Sequence, residues 1–343
     1  MGIMTIKGVI YKPDLGLVSP HEHVLIDISN QFVEPIDQQG KAICYKKVKA
    51  EHSKLLNENP YLIKDNLLLD NIEIAINELL YFKSAGGDTV VDATPMNIGR
   101  NVDALKIIAA STGLNFVVGC GYYTDDTHSN EMDSKTIGAI ENELVHDLTI
   151  GIGNSGVKAG LIGEIGTGKE FTRNEEKVLR ASGRAHKVTG APVMVHIFPW
   201  SKNGIDAVKL LEMEGVKANR ICICHSDVML DEDYIVELLR MGVYVEFDNF
   251  GKEFTAKVPY GRFATDSERI DMIIRLINAG FENQLLFSCD ICLKNLLRTY
   301  GGHGYDHVLT NIKPMLMKAE VYRKSIETIL LNNPLDYLDN SKL

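Results

Sequence analysis

Eight short, mostly apolar runs recur along this chain, and a longer helix-like stretch follows almost every one. This alternation restricts the possible folds more than any other feature. The runs cover 16–23, 89–94, 115–121, 159–165, 191–196, 220–225, 242–248 and 284–290. Several, such as Arg-Ile-Cys-Ile-Cys at 220–224 and Leu-Leu-Phe-Ser-Cys at 285–289, are apolar almost throughout, as parallel strands buried on both faces are. Helical patterns fall at 66–85, 102–110, 134–149, 174–189, 204–214, 231–241 and 267–280. In the first of these Leu67, Ile72, Ile76, Leu79 and Leu80 recur at helical spacing, and Gly86-Gly87 provides the stop. Strand-then-helix repeated eight times in 343 residues predicts an α/β protein, a (β/α)8 TIM barrel in one domain over 1–343. An open doubly wound sheet normally carries G-x-G-x-x-G after its first strand, and none is present there. Residues 1–14 read as a hairpin at the barrel bottom, and 320–340 as a terminal helix ending at Asn333-Pro334. The long connection 28–65, with a short helix near 54–59, belongs over the catalytic face of such a barrel.

Bulk properties exclude some functions. The net charge of −10 and the short Lys cluster at 41–49 argue against nucleic-acid binding. No run of 18 apolar residues and no secretory leader is visible, so a membrane role is not expected. Six cysteines, mostly within apolar runs, fit buried thiols in a reducing cytoplasm. Alternation places Cys222 and Cys224 opposite His225, in a packing role. Cys289-Asp-Ile-Cys292 lacks a thioredoxin-like setting.

The chemistry is concentrated where the runs end. The first closes on His21-Glu22-His23, and residues at i and i+2 share a face of a strand, about 7 Å apart. The fourth carries Glu164, the fifth ends in His196, the sixth in His225 and the eighth in Asp290. Any one of these has a plain structural role: a core imidazole, or a helix cap for Glu164 or Asp290. Strand C-termini of a barrel converge on one mouth, however, and four imidazoles with two carboxylates form a ligand set for two divalent metals, zinc first.

PHEH at 20–23, GEIGTG at 163–168, VHIF at 195–198, CHSD at 224–227 and SCD at 288–290, in that order, resemble the phosphotriesterase-like branch of the amidohydrolase superfamily. Many relatives bridge their metals with a carboxylated lysine on the fourth strand. Here Gly163 takes that place and Glu164 follows, as in the subgroup bridged by glutamate. The resemblance implies one metal on His21, His23 and Asp290, a second on His196 and His225, and Glu164 with a hydroxide between them. Asp290 would accept the proton of the attacking hydroxide and could return it to the leaving group. Tyr123, just after the third run, could steady a developing oxyanion, and Asp227 could orient His225 or cap a helix.

The family divides among lactones, phosphotriesters and acyl amides. The last two loops carry Lys252, Lys257, Tyr260 and Arg262, then Arg298, Tyr300 and His303. These cations and polar rings point to an anionic small molecule, a sugar-phosphate lactone first, gripped by Lys252 and Arg298 with Tyr300 and His303 nearby. The expected function is therefore a binuclear metal-dependent lactonase. The alternatives are a phosphotriesterase or amide hydrolase on the same metals, and a barrel that only binds a metal or metabolite. The resemblance also suggests a homodimer.

Overall fold

The computed structural model describes residues 2–11, 14–255 and 261–339. Strands β1 (Gly2–Thr5) and β2 (Gly8–Tyr11) form an antiparallel hairpin. β3 (Leu17–Glu22) begins the barrel, and a small antiparallel pair, β4 (Ile26–Asp27) with β5 (Leu68–Leu69), closes the base of the long loop between them. Then come β6 (Gly87–Asp92), β7 (Asn115–Cys120), β8 (Leu161–Gly166), β9 (Val193–His196), β10 (Ile221–Ile223), β11 (Tyr244–Phe247) and β12 (Leu285–Phe287). β3 and β6 to β12 pair in parallel in sequence order, with helices between them, as a TIM barrel requires. All eight predicted runs are strands.

Their two-sided apolarity has a direct cause. Val18, Val91, Val117, Leu161, Met194, Cys222, Tyr244 and Leu286, one from each barrel strand, fill the interior together. Their neighbours in sequence, among them Val90, Phe116, Ile162, Val195, Ile223, Val245 and Phe287, face the surrounding helices. Below, the interior is plugged by Ile3 of the hairpin and by Leu335, Tyr337 and Leu338 of the last helix. The Gly2 amide donates to Asp339 at 3.0 Å, joining the two chain ends beneath the barrel.

Between β12 and β3 a side chain does much of the closing. Glu22 is fully buried and accepts hydrogen bonds from the amides of Cys289 (3.0 Å) and Ile291 (2.8 Å), while the Asp290 amide donates to the His21 carbonyl at 3.2 Å. Burial, which the two amides only partly offset, raises the Glu22 carboxyl to about 7.

Three sequence expectations need correction. The first helix begins at Ile72, capped by the Asn71 side chain, because Asn66 is drawn inward to the Pro60 carbonyl and Asn295. The terminal helix does not end at Asn333-Pro334. A π-helical turn at Thr328–Asn332 precedes the proline, which then starts a further helical segment, Asn333–Leu338. Proline lacks a donor and its ring crowds the carbonyl four residues back, so it suits the first turn of a segment. Finally, Cys222 and Cys224 point into the barrel toward Glu246, each 3.6 Å from its carboxylate. Alternation fails just after them because His225 has φ 59°, which turns its ring back toward the barrel mouth.

Candidate active site

Glu164 lies at the centre of the barrel mouth. Its Oε1 is 3.0 Å from His225 Nε2, 3.2 Å from His196 Nδ1 and 3.6 Å from His21 Nε2, while Oε2 is 3.6 Å from His23 Nε2. Asp290 closes the other side, with Oδ1 3.1 Å from His23 Nε2 and 3.8 Å from His21 Nε2. The six residues named from the strand ends therefore meet, in two sets: His21, His23 and Asp290, and Glu164, His196 and His225. Neither carboxylate is a helix cap. Thr172 caps the helix after Glu164, and Asp290 bonds instead to Lys252 and His23.

The imidazoles are aimed from behind. Asp248, fully buried, lies 3.2 Å from His21 Nδ1 and 3.0 Å from His225 Nδ1, and also accepts from the His225 amide. His23 Nδ1 is 2.9 Å from the Thr94 hydroxyl. Each anchored Nδ1 leaves Nε2 facing the centre. At that centre His21 Nε2 is buried without a hydrogen-bond partner among the described residues, and His196 Nδ1 faces His225 Nε2 at 2.8 Å. Opposed ring nitrogens and an orphaned one, around a buried carboxylate, fit a divalent cation of the zinc type. The electrostatics agree. Burial would raise the Glu164 carboxyl, but His21 and His196 hold it well below its usual range. Burial would lower the His225 imidazole, yet Asp248 and Glu164 lift it to about 10. This cup stabilises positive charge, whether as protons or as metal.

Asp248 was within reach of sequence reasoning, since it ends the predicted seventh run as the other site residues end theirs. Asp227 does not touch His225. It accepts from the Asn249 amide and side chain (3.0 and 2.7 Å) and lies 2.8 Å from Arg269. Tyr123 does reach the site: its hydroxyl is 3.1 Å from His196 Nδ1, and burial pushes its phenol well above the usual range, so it remains a donor.

Above the cup opens a cavity of about 1240 Å³. The long loop after β3 forms one side, with Ile28, Val33, Pro35, Ile36 and Tyr61 lining it. The expected anion grip is not assembled there. Lys252 lines the floor, but it is buried and its ammonium is engaged by Asp290. Arg298 is away from the cavity, forked onto Asp306 (2.9 and 2.6 Å) over the Tyr81 ring. Tyr300 packs against Val48, Leu56 and Ile63, and His303 stacks on His307 at 4.2 Å. The cause is the tethering of this loop. The Arg298 and Thr299 amides bond to Glu78 and the Tyr305 hydroxyl to the His23 carbonyl, which turns these side chains outward. Arg262 pairs with Glu268 on the surface, and Lys257 and Tyr260 lie outside the described residues.

Comparison with known proteins agrees with this geometry. The family model of the phosphotriesterase family matches residues 1–338. The chain is 34% identical to an N-acetyltaurine hydrolase of Xenopus tropicalis, an alignment spanning 98% of this chain and 97% of that protein. Among solved structures, a resiniferatoxin-binding protein from Rhodobacter sphaeroides superposes with a TM-score of 0.96 at 31% identity, covering 100% of this chain and 96% of that one. A phosphotriesterase homology protein from Escherichia coli, complexed with phosphate in its active site, gives 0.80 at 27% identity, covering 95% and 99%. The protein belongs to the phosphotriesterase family of hydrolases, and its candidate metal-binding clusters stand where the barrel strands end.

Proposed function

We propose that this protein is a metal-dependent amide hydrolase that cleaves a small N-acylated anion of the acyltaurine type. The observation carrying the reading is the position of Glu164 between the two ligand sets, within 3.6 Å of all four imidazoles. His21, His23 and Asp290 would hold one divalent ion, His196 and His225 the other, and Glu164 both. Ions held there supply Lewis acidity toward a carbonyl oxygen and a water acidified enough to attack at neutral pH.

The chain's own residues supply the rest. Asp290 is ionised: burial raises its carboxyl, but Lys252 and then His23 outweigh that and bring it to about 2. It can accept the proton lost by the attacking water. An amine leaves an amide only if protonated, and Asp290 can return the proton to the nitrogen. Lys252 fixes the carboxylate for both transfers. Tyr123 donates to the oxygen that gains charge. Lys169, five residues past Glu164, lines the cavity, has no ion pair among the described residues, and is placed to meet the anionic end. It takes the role first expected of Lys252 and Arg298.

The relatives named N-acetyltaurine hydrolase support the amide over the sugar-phosphate lactone, whose expected phosphate grip is committed elsewhere. Lactone opening would use the same residues, so a panel decides. Zinc-loaded protein is expected to release taurine from N-acetyltaurine, and chelation to abolish this. Faster turnover of aldonolactones, with N-acyltaurines untouched, would overturn the reading in favour of the lactone. Lys169→Ala is expected to raise KM roughly tenfold, as loss of a charge-assisted contact does, with little change in kcat.

A further inference from the structure

The cavity is far larger than an acetyl group needs, and apolar side chains line much of the excess. Its 1240 Å³ exceeds the roughly 300–1,000 Å³ usual for small-molecule sites. Beyond the Glu164–Asp290 floor, two of its walls carry runs of apolar side chains. One is an aromatic ladder from the loops after β9 and β11. Phe198 lies 5.6 Å from Trp200, Trp200 5.5 Å from Phe263, and Phe263 5.1 Å from Phe254. The other is the loop after β3, where Ile28 and Pro35 lead outward to Val33 and Ile36, which are 78% and 94% exposed. Isoleucine and valine left in water at the mouth of a cavity, continuous with an aromatic wall and a reaction centre, are unsatisfied until something apolar covers them. Charged groups line the cavity too: Glu34 and Asp37 interrupt the apolar residues of that loop, and Asp125, Asp126, Lys169 and Glu170 lie beyond it.

We propose that these two walls form a binding site for a hydrocarbon chain, so that the preferred substrate is an amphiphile whose acyl group is well beyond acetyl in length. The scissile carbonyl rests over Glu164, the anionic head turns toward Lys169, and the chain runs between Trp200 and Ile36 to the mouth. This rests on the function proposed above and names the substrate class of the same site.

Trp200 is the chain's single tryptophan and reports the wall directly. Zinc-loaded protein is titrated with alkane-1-sulfonates from ethyl to decyl, which have no scissile bond, while tryptophan emission is followed. The expected result is an emission shift and binding that tightens about fourfold with each added methylene, the gain for burying one CH₂. The paired variant Val33→Asp/Ile36→Asp, with folding checked by its thermal melt, is expected to lose most of that gain. Equal affinity for ethyl and decyl sulfonate, or a chain-length gain unchanged in the variant, overturns the proposal. N-acyltaurines from acetyl to decanoyl supply the second arm, with kcat/KM expected to rise along the series. A rise with sulfonate length but no cleavage of any acyltaurine removes the amide reading and keeps the hydrocarbon site. Cleavage of acetyl and decanoyl taurine at equal kcat/KM, with flat sulfonate binding, does the reverse.

Discussion

His21 is gripped on one edge and left bare on the other. Its Nδ1 meets Asp248 at 3.2 Å, and its buried Nε2 makes no hydrogen bond among the described residues. A buried polar atom without a partner is costly, so the arrangement makes sense as half of a coordination site. Asp248 serves two of the four imidazoles, and Asp248→Asn is expected to weaken zinc binding by about 10–100-fold, the usual loss when such a carboxylate is removed, as measured by competition with a chelating dye. Asp290→Asn keeps the shape but removes the proton acceptor. It should lower kcat by about 10²–10⁴-fold, and it should also lower the thermal melt, because the buried Lys252 ammonium loses its counter-charge. Unimpaired turnover in that variant would assign the proton transfers to another group. Among single residues, the six strand-end side chains that meet at the mouth were legible in the sequence because each sits where a barrel converges. Asp248 obeys the same rule, but it also opens the loop after β11, where a carboxylate has other uses.

At the level of elements, the strands could be read and the loops could not. A strand buried on both faces leaves a continuous apolar run that marks its position, as Val117 and Val118 do by facing opposite layers. Arg298, Tyr300 and His303 follow a strand at the right distance to reach substrate, yet Glu78 and Asp306 hold them outward. The tie from Glu78 to Arg298 spans 220 residues and leaves no local pattern. Pro334 misled for a related reason, since a wide helical turn absorbs it without a break. Helix caps, in contrast, are local, and one yields a pH prediction. Thr265 and Glu268 form a capping box at the start of Asp266–Asn278. Arg262, then the Thr265 amide, lowers the Glu268 carboxyl from 4.5 to about 2. A carboxyl depressed on folding adds stability that is complete above its ordinary pKa and fades as pH falls through the folded one. Glu268→Gln should therefore melt below wild type at pH 7, with the gap closing between about pH 4.5 and pH 2. A gap independent of pH across that window would mean that the charge contributes nothing.

For the whole molecule, the barrel floor and the barrel mouth are separate tasks. Ile3, Leu335, Tyr337 and Leu338 plug the floor from both ends of the chain. Ile3→Ala is expected to cost about 2–5 kcal/mol, as truncation of a fully buried side chain does, read as a lower denaturant midpoint. KM should not move, because the plug is at the opposite end of the barrel from the cavity. Among the described residues no helix is long and apolar enough to cross a membrane. The Glu22 link carries one more implication. It joins the first barrel strand to the last, and the same two strands supply His21, His23 and Asp290. A growing polypeptide therefore carries no finished ion cup while it is being synthesised, since Asp290 leaves the ribosome some 270 residues after His21. Any ion that fills the cup must therefore enter after the last strand has left the ribosome.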